Sequence, residues 1–414
     1  MTPPSPPRPA HNRLGQTEFV ALMAMLAATV ALAIDGMLPA LGEMGEDLSP
    51  ANPDLAALTI MAFVSGMGFG TFFSGPLSDA YGRRPVLLSG AGIFILGAAA
   101  CAFAQDLTAL IIARFIQGLG ASGPRVVAMA VIRDRYKGRE MARMLSFVMV
   151  VFAIVPVLAP SLGALIMLFS GWRGIFWAFA AFSMATSLWF YIRQGETLIE
   201  EDRRPISVTL IWSGLKEMLG IEMVRLSIIV QTLAFAMLFG LLASIQFVYD
   251  QTFDRAESFP VWFGAVALVS ASSGFLNASL VRRYGMRAII TGMFAFSTVA
   301  SLTMAMSWPS LEGDMAFAAF LLWQTVIFFQ AGMTIGNLNA LALEPVGHIA
   351  GLAASVVAAV ATIVAAGLAI PLSLVFDGTP RPMAFGLALF ALMALLLTLK
   401  MRQLERFVVN APVD

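Results

Sequence analysis

The feature that most constrains this chain is a series of long, continuous apolar runs between residues 18 and 401. A helix needs about 20 mostly apolar residues to cross a bilayer, and these runs reach that length. They do not alternate polar and apolar positions as the strands of a membrane barrel would. The runs cover 18–41, 54–76, 85–104, 107–132, 141–169, 172–192, 224–248, 257–280, 286–307, 314–339, 347–375 and 381–401. The sequence therefore predicts an all-α membrane protein with twelve transmembrane helices.

One long polar connection divides the runs into two sets of six, which predicts two six-helix bundles. The predicted organisation is a disordered cytoplasmic tail (1–17), an N-terminal bundle (18–192), a cytoplasmic linker (193–223), a C-terminal bundle (224–402) and a cytoplasmic tail (403–414). A helix on the membrane surface and a plain solvated linker both fit the connection.

The first apolar run raises the question of a signal peptide, because Ala31-Leu32-Ala33 follows a basic flank and an apolar core. The run continues to Leu41 at spanning length, so a first membrane helix is favoured.

Composition excludes several classes of protein. Apolar residues make up 59% of the 414 positions and charged residues only 12%, half the usual share for a soluble domain. Net charge is zero, which leaves no basic surface for nucleic acid. One cysteine, Cys101, and two histidines provide no typical metal cluster. We find no phosphate-binding loop and no G-x-S-x-G motif. We therefore expect no enzyme activity, no metal and no cofactor.

The basic residues predict the orientation. With both termini in the cytoplasm, the inside segments hold twenty Lys and Arg residues and the outside loops hold three. This bias follows the positive-inside rule. The remaining two, Arg114 and Arg125, fall inside a span.

A weak internal repeat relates the two halves. Tyr81-Gly82 and the arginines after it recur 203 residues later as Tyr284-Gly285 and Arg287. Both copies follow the second run of their half, which is the pattern of parallel repeats in transporters with a substrate site between two bundles.

The segment from Gly75 to Arg84 reads G-P-L-S-D-A-Y-G-R-R and matches every defined position of the major facilitator loop signature, G-x-L-S-D-x-x-G-R-R. Further motifs lie at Asp35–Leu41, Arg114–Ala121, Pro156–Gly163 and Asn339–Pro345. Together they resemble the Bcr/CflA-type branch of drug-resistance transporters, named for bicyclomycin and chloramphenicol resistance. The resemblance covers nearly the whole chain outside the first 17 residues and the linker.

This resemblance implies a monomeric, proton-coupled antiporter that exports small amphipathic or drug-like molecules across the bacterial inner membrane by alternating access. Its partners would be a small-molecule substrate, protons and the lipid bilayer, with no nucleic acid and no cofactor beyond the proton gradient. The alternative is a transporter of the same fold that exports or takes up one specific metabolite.

Four residues are candidates for proton or substrate coupling: Asp35, Arg114, Gln117 and Arg125. A carboxylate in an apolar helix is costly and should face the protein interior. Asp35 and Arg114 each lie about 9–10 Å from the outer end of their span, at 1.5 Å per residue. An Asp35–Arg114 pair at that level would break on protonation. A structural ion pair is the alternative for Asp35. Arg125 is either a second coupling charge or a pairing partner at the inner gate.

The loop signature and the inner end of the fourth span predict a gate. The residues are Gly75, Asp79, Gly82, Arg83, Arg84 and Asp134. The resemblance implies that Asp79 caps the start of a neighbouring helix and that Arg83 pairs with Asp134. Solvated loop charges are the alternative.

Pro156, Pro160 and Gly163 share one face of the fifth span and predict a kink, because proline removes a backbone donor. The resemblance implies a bend that seals the bundle. This chain has Ala159-Pro160 where the antiporter signature has Gly-Pro, and Arg282 where the second loop copy would have an acid.

Overall fold

The structure is a computed structural model that describes residues 14–203 and 205–409. Every regular element in these two ranges is helical, so the all-α prediction is confirmed there. Residues 1–13 with Arg8 and Arg13, linker residue Arg204 and tail residues 410–414 lie outside the described ranges.

Two groups of helices, joined by one short helix, make up the chain. The first half contains α1 (Gln16–Asp35), α2 (Leu41–Leu48), α3 (Leu58–Tyr81), α4 (Arg83–Ala102), α5 (Leu107–Arg135) and α6 (Gly138–Arg193). The connecting helix is α7 (Val208–Gly220). The second half contains α8 (Glu222–Phe247), α9 (Phe259–Tyr284), α10 (Met286–Ser307), α11 (Gly313–Leu343), α12 (Ala350–Leu374) and α13 (Arg381–Val409). Helix α2 falls in a polar loop of the predicted topology.

Ten helical stretches in the described ranges are long and apolar enough to cross a membrane, whereas the sequence predicts twelve spans. The difference arises in two long stretches, Gly138–Arg193 with 56 residues and Gly313–Leu374 with 62. Gly171, at φ 62°, interrupts the helical backbone of the first stretch. The 3₁₀ segment Glu344–Ile349 interrupts the second.

The internal repeat appears in the backbone at two glycines. Gly82 separates α3 from α4 at φ 103°, and Gly285 separates α9 from α10 at φ 78°. Positive φ is accessible to glycine at little cost, which explains a sharp turn between two long helices at these positions. The packing also repeats, since α3 and α4 pack on α5 in the first half while α9 and α10 pack on α11 in the second.

The most extensive packing between the halves is that of α3 against α12 and of α6 against α9. Outward-facing positions expose large apolar side chains, among them Leu96, Phe275 and Leu322, which are each at least 71% exposed. An apolar outer surface on helices of this length suits contact with lipid tails. By contrast, α1 and α8 are mostly buried, which places them inside the assembly.

The linker runs along the end of the molecule where α3 meets α4. Helix α7 lies against the start of α12, where a Cβ at Gly214 would be 2.7 Å from Leu352 Cδ2. His348 Nε2 lies 3.0 Å from Glu217 Oε1 of α7. The connection thus contains a helix packed on the second half.

Candidate functional site: the charged interior and the inner gate

Arg114 is fully buried in the middle of the first half. Its Nη1 donates to Gln117 Oε1 at 2.6 Å, and its Nη2 donates to the carbonyl oxygen of Ala33 at 3.0 Å. Its Nε donates to the Thr59 carbonyl at 3.4 Å, and the guanidinium carbon lies 4.3 Å from the ring centroid of Phe63. The positive charge is therefore held by neutral oxygens and an aromatic face.

Asp35 is the last residue of α1 and is 7% exposed. It lies two residues beyond Ala33, whose carbonyl accepts from Arg114. Within the described ranges, its carboxylate makes no ion pair and no side-chain hydrogen bond. The predicted Asp35–Arg114 pair is therefore not formed in this conformation, because the guanidinium donates to Gln117 and to two carbonyls instead. The two residues nevertheless occupy the same level of the interior.

Gln117 links Arg114 to α4. Its Oε1 accepts from Arg114, and Cys101 Sγ lies 3.9 Å from the same oxygen. The Gln117 Nε2 atom is buried and finds no hydrogen-bond partner in the described ranges. A buried unpaired amide donor costs about 1–3 kcal/mol, which makes this polar group sensitive to any rearrangement nearby.

Arg125 lies eleven residues further along α5 and is half-buried. Its Nη1 contacts Met67 Sδ of α3 at 3.5 Å. A thioether sulfur is a weak acceptor, so this contact does little to compensate a guanidinium. The structure does not pair Arg125 with a carboxylate among the residues it describes, and the proposed pairing at the inner gate is not formed.

The predicted gate residues centre on Arg83, at the start of α4. Its Nε donates to Asp134 Oδ2 at 2.9 Å, and its Nη1 donates to Asp79 Oδ1 and to Ser78 Oγ. The Arg83 side chain is 9% exposed, whereas those of Asp134 and Asp79 are 20% and 50% exposed. The structure thus brings together three of the predicted gate residues in one charge-assisted network.

A residue that sequence reasoning missed caps the start of α4, beside this network. Glu196, just after α6, accepts the backbone N–H of Arg83 through Oε1 and that of Arg84 through Oε2, both at 2.9 Å. Thr197 Oγ1 donates to Asp134 Oδ2 at 2.9 Å. A carboxylate at a helix start satisfies free N–H groups and complements the helix dipole.

The remaining gate residues have different neighbours from those expected. The described partner of the Asp79 carboxylate is Arg83, so the implied cap on a neighbouring helix is not seen; Asp79 faces Gly351 of α12 across a pocket of about 150 Å³. Arg84 donates to the Tyr191 carbonyl and stacks 4.0 Å from its ring centroid.

The two signature glycines mark close approaches. A Cβ at Gly75 would lie 2.7 Å from Ser355 Oγ of α12, and one at Gly82 would lie 2.6 Å from Glu196 Oε2. Gly75 thus lets the two halves meet at the end where α3 joins α4, and Gly82 leaves room for the capping carboxylate.

Pro156 and Pro160, where the sequence predicts a kink, both lie before Gly171 in α6. The φ and ψ angles stay helical at both prolines, and the one residue of α6 with non-helical angles is Gly171, between the predicted fifth and sixth spans. Gly163 instead packs directly on α1, where a Cβ would overlap the carbonyl oxygen of Gly36. This part of α6 therefore serves as a close-packed face against α1.

At the opposite end, hydrogen bonds hold α2 and connect the halves. Asp47 of α2 accepts from Trp172 Nε1 at 3.1 Å and from Arg173 Nη1 at 2.8 Å, both after the break in α6. Gln251 of the second half donates to Asp54 of the first at 2.9 Å. In this conformation polar contacts thus cross between the halves at this end.

In the second half the buried polar side chains among the described residues are uncharged. Tyr249 Oη donates to Gln324 Oε1 at 3.0 Å, and Asn277 and Asn337 pair through their amides. These are the interhelical contacts expected of polar residues in a bundle. The charged interior groups of the described spans, Asp35, Arg114 and Arg125, all belong to the first half.

Comparisons with known proteins agree with this architecture. The family model of the Major Facilitator Superfamily matches residues 20–369. The chain is 31% identical over 362 residues to YdgK of Bacillus subtilis (strain 168), an uncharacterized MFS-type transporter, covering 83% of this chain and 86% of that protein. It is 38% identical over 152 residues to the multidrug resistance protein MdtL of Escherichia fergusonii, a match that spans 37% of this chain and 39% of MdtL.

Solved structures share the fold. The human organic anion transporter MFSD10 superposes with a TM-score of 0.70 at 17% identity, covering 93% of this chain and all of that one. A D-xylose-proton symporter superposes with a TM-score of 0.73 at 13% identity, covering 92% and 97%. The family model, the relative matched over most of its length and the shared fold lead to one conclusion: the chain belongs to the major facilitator superfamily and is a membrane transporter.

Proposed function

We propose that this chain is a proton-coupled antiporter that exports small amphipathic or drug-like molecules across the bacterial inner membrane by alternating access. The observation that carries the proposal is the 7%-exposed carboxylate of Asp35, which lacks a polar side-chain partner among the described residues and lies beside the Arg114 site. An ionisable group in this position is a functional candidate by default, since membrane interiors hold charges at high cost.

Asp35 is suited to carry the proton. Because Asp35 forms no ion pair, its carboxylate takes up a proton without first breaking a bond to Arg114. Neutralising it changes the charge beside Ala33, whose carbonyl holds the Arg114 guanidinium. Protonation therefore shifts the equilibrium between two arrangements of α1 on α5. Such a shift couples the binding of an ion to a conformational change.

We propose that the chain crosses the membrane twelve times. A 56-residue helical stretch is about 84 Å long at 1.5 Å per residue, far more than the ~30 Å hydrocarbon core. The break at Gly171 and the 3₁₀ segment Glu344–Ile349 divide the two long stretches into two crossings each. The distribution of basic loop residues supports a cytoplasmic position for both termini.

The Arg83 network acts as the inner gate in this proposal. It joins the turn between α3 and α4 to the end of α5 and to the linker, at the cytoplasmic end. We propose that its polar bonds hold the turn after α3 in the position where Gly75 packs on Ser355 of α12, which keeps the inner side closed, and that their release permits the inward-open state. The pocket bounded by Asp79 and Gly351 lies at the same junction of the two halves.

Similarity supports the drug-export assignment within the superfamily. The motifs resemble the Bcr/CflA-type branch, and the partial match to MdtL, named a multidrug resistance protein, points the same way. We place the transporter as a monomer in the bacterial inner membrane.

The test is proton-coupled transport by purified protein in proteoliposomes. A toxicity panel in a pump-deficient host, repeated with an uncoupler, first selects a substrate. The proposal requires that an imposed proton gradient drives export of that substrate and that substrate addition moves protons. Transport of a single metabolite with no protection against any toxic compound would favour the metabolite-specific alternative, and gradient-independent transport would refute antiport.

A further inference from the structure

Arg125 is a cation of the first half that the coupling scheme above does not use. Among the described residues its guanidinium contacts Met67 Sδ at 3.5 Å and has no carboxylate partner. By comparison, the Arg114 guanidinium donates to three oxygens. Arg125 therefore retains donors for another acceptor.

The side of α5 that carries Arg125 faces away from lipid. Ile116 is 43% exposed on the outer surface of α5, and Arg125 follows it by nine residues. At 100° per residue, nine residues turn a helix by 900°, so the two side chains point in opposite directions. The exposed part of Arg125 thus faces the interior of the protein.

Met67 shows where in the interior the guanidinium lies. Its neighbour Gly66 packs on α5, while Gly68 packs on α12 of the second half, where a Cβ would be 2.6 Å from Ile363 Cγ1. Met67 is 3% exposed and points about 200° away from Phe69, which is 44% exposed. Arg125 consequently reaches the region between α3 and α5 that borders the junction of the halves.

The interior of the described spans holds more positive than negative groups. In the interior the described spans carry two guanidinium groups, Arg114 and Arg125, and one carboxylate, Asp35, and none of the three is paired with another. When Asp35 carries a proton, only positive charge remains. A guanidinium presents a planar fork of donors that matches a carboxylate, and a thioether beside it offers an apolar contact.

We propose that Arg125 recognises an anionic group, such as a carboxylate, on the transported molecule, so that the preferred substrates are weakly acidic amphiphiles. This inference rests on the proposed function and specifies its substrate class. The acid group binds the guanidinium in a charge-assisted, bidentate manner, and the apolar part of the substrate packs on Met67 and the adjoining helix faces.

The test uses three probes of one shape and different charge: 2-naphthoate, 2-naphthamide and 2-naphthylmethylammonium. Thermal unfolding of the full chain in nanodiscs at pH 7 reports binding. We expect naphthoate to raise the Tm of the wild type and the other two probes not to. Arg125→Gln should abolish the naphthoate shift, Arg125→Lys should keep part of it, and Arg125→Glu should transfer it to the ammonium probe.

Transport separates recognition from folding. Counterflow of labelled naphthoate should show at least a tenfold higher KM for Arg125→Gln, with a smaller change in turnover at saturation. Arg139→Gln, an exposed arginine at the start of α6, is the matched control and should behave as wild type. Stabilisation of the wild type by none of the probes or equally by all, or a full naphthoate shift in Arg125→Gln, overturns the proposal.

The same experiments distinguish this inference from the proposed function. Proton-driven export of a neutral drug that is unaffected by Arg125→Gln would remove the inference and leave the antiporter assignment intact. Naphthoate binding that depends on Arg125, without proton movement, would support the inference and refute the antiporter assignment.

Discussion

Arg83 Nε and Asp134 Oδ2 lie 2.9 Å apart, and the same oxygen accepts from Thr197. One carboxylate therefore joins the turn after α3, the end of α5 and the linker after α6. Because the Asp134 carboxylate connects these three segments, a movement of any one of them alters the contacts of the other two.

Breaking this contact should open the inner side. We expect Arg83→Ala to increase labelling of a cysteine introduced at Ala130, which lines the inner pocket, and to slow transport. A shift of a few kcal/mol in a two-state equilibrium is enough to change the dominant state. The measurement is maleimide labelling after Cys101 is replaced, with Arg139→Ala as the control. Equal labelling and wild-type turnover would mean that the Arg83 contacts do not hold the inner side closed.

Glu196→Ala should weaken the same gate from the linker. The change removes the acceptor for two backbone N–H groups at the start of α4, at a cost of about 1 kcal/mol for a lost cap. We expect increased labelling at Ala130 in the same direction as Arg83→Ala. Glu201→Ala, an exposed acid of the same linker, is the control. If both acids behave alike, the linker carboxylate contributes only charge.

Asp35→Asn should abolish proton movement while leaving the protein inserted and folded. The amide has nearly the same size, and no ion pair among the described residues is lost. The measurement is the pH change inside proteoliposomes when substrate is added, compared with Glu312→Gln at an exposed position. Substrate-driven proton movement by the mutant at the wild-type rate would move the coupling role to another group.

Arg114→Ala should be more damaging than Arg125→Ala. Removing Arg114 leaves the Gln117 oxygen and two carbonyls buried without their donor, at about 1–3 kcal/mol each. Arg125→Ala removes a sulfur contact and should keep the Tm close to wild type. Thermal unfolding and transport of both variants check this order, and equal Tm losses would contradict it.

Gly163→Ala should destabilise the packing of α6 on α1 by about 1–3 kcal/mol, because the added methyl overlaps the Gly36 carbonyl. Gly92→Ala in α4 is the control, since a Cβ there meets nothing within 4 Å. Its expected effect is neutral or slightly stabilising, as alanine favours helix over glycine. Thermal unfolding of the two variants compares them directly, and equal shifts would exclude the close approach.

Apolar run length predicted the long helices of the described ranges, because a bilayer-sized run can satisfy its backbone only as a helix. The loop signature indicated the Arg83–Asp134 contact. Glu196 gave no comparable signal, since it is one acid among several in a polar linker. The partners of Arg114 were also beyond sequence reasoning, because backbone carbonyls compete with Asp35 and any residue type supplies them.

Helix α2 was missed for a related reason. Its eight residues include three acids, so it lacks the apolar length on which the span prediction relied. Its position depends on the contacts of Asp47 with Trp172 and Arg173, which lie more than 120 residues away in the sequence. Only the folded chain brings them together.

Because Cys101 is buried, the reactivity of its thiol reports on the opening of the first half. The thiol is 0% exposed and lies beside Gln117, next to the Arg114 cluster. Since it is the only cysteine in the sequence, a thiol reagent applied to the unmodified protein has one target, and that target becomes reachable when α4 and α5 separate. The rate of its modification would therefore time the opening of this bundle without any introduced label.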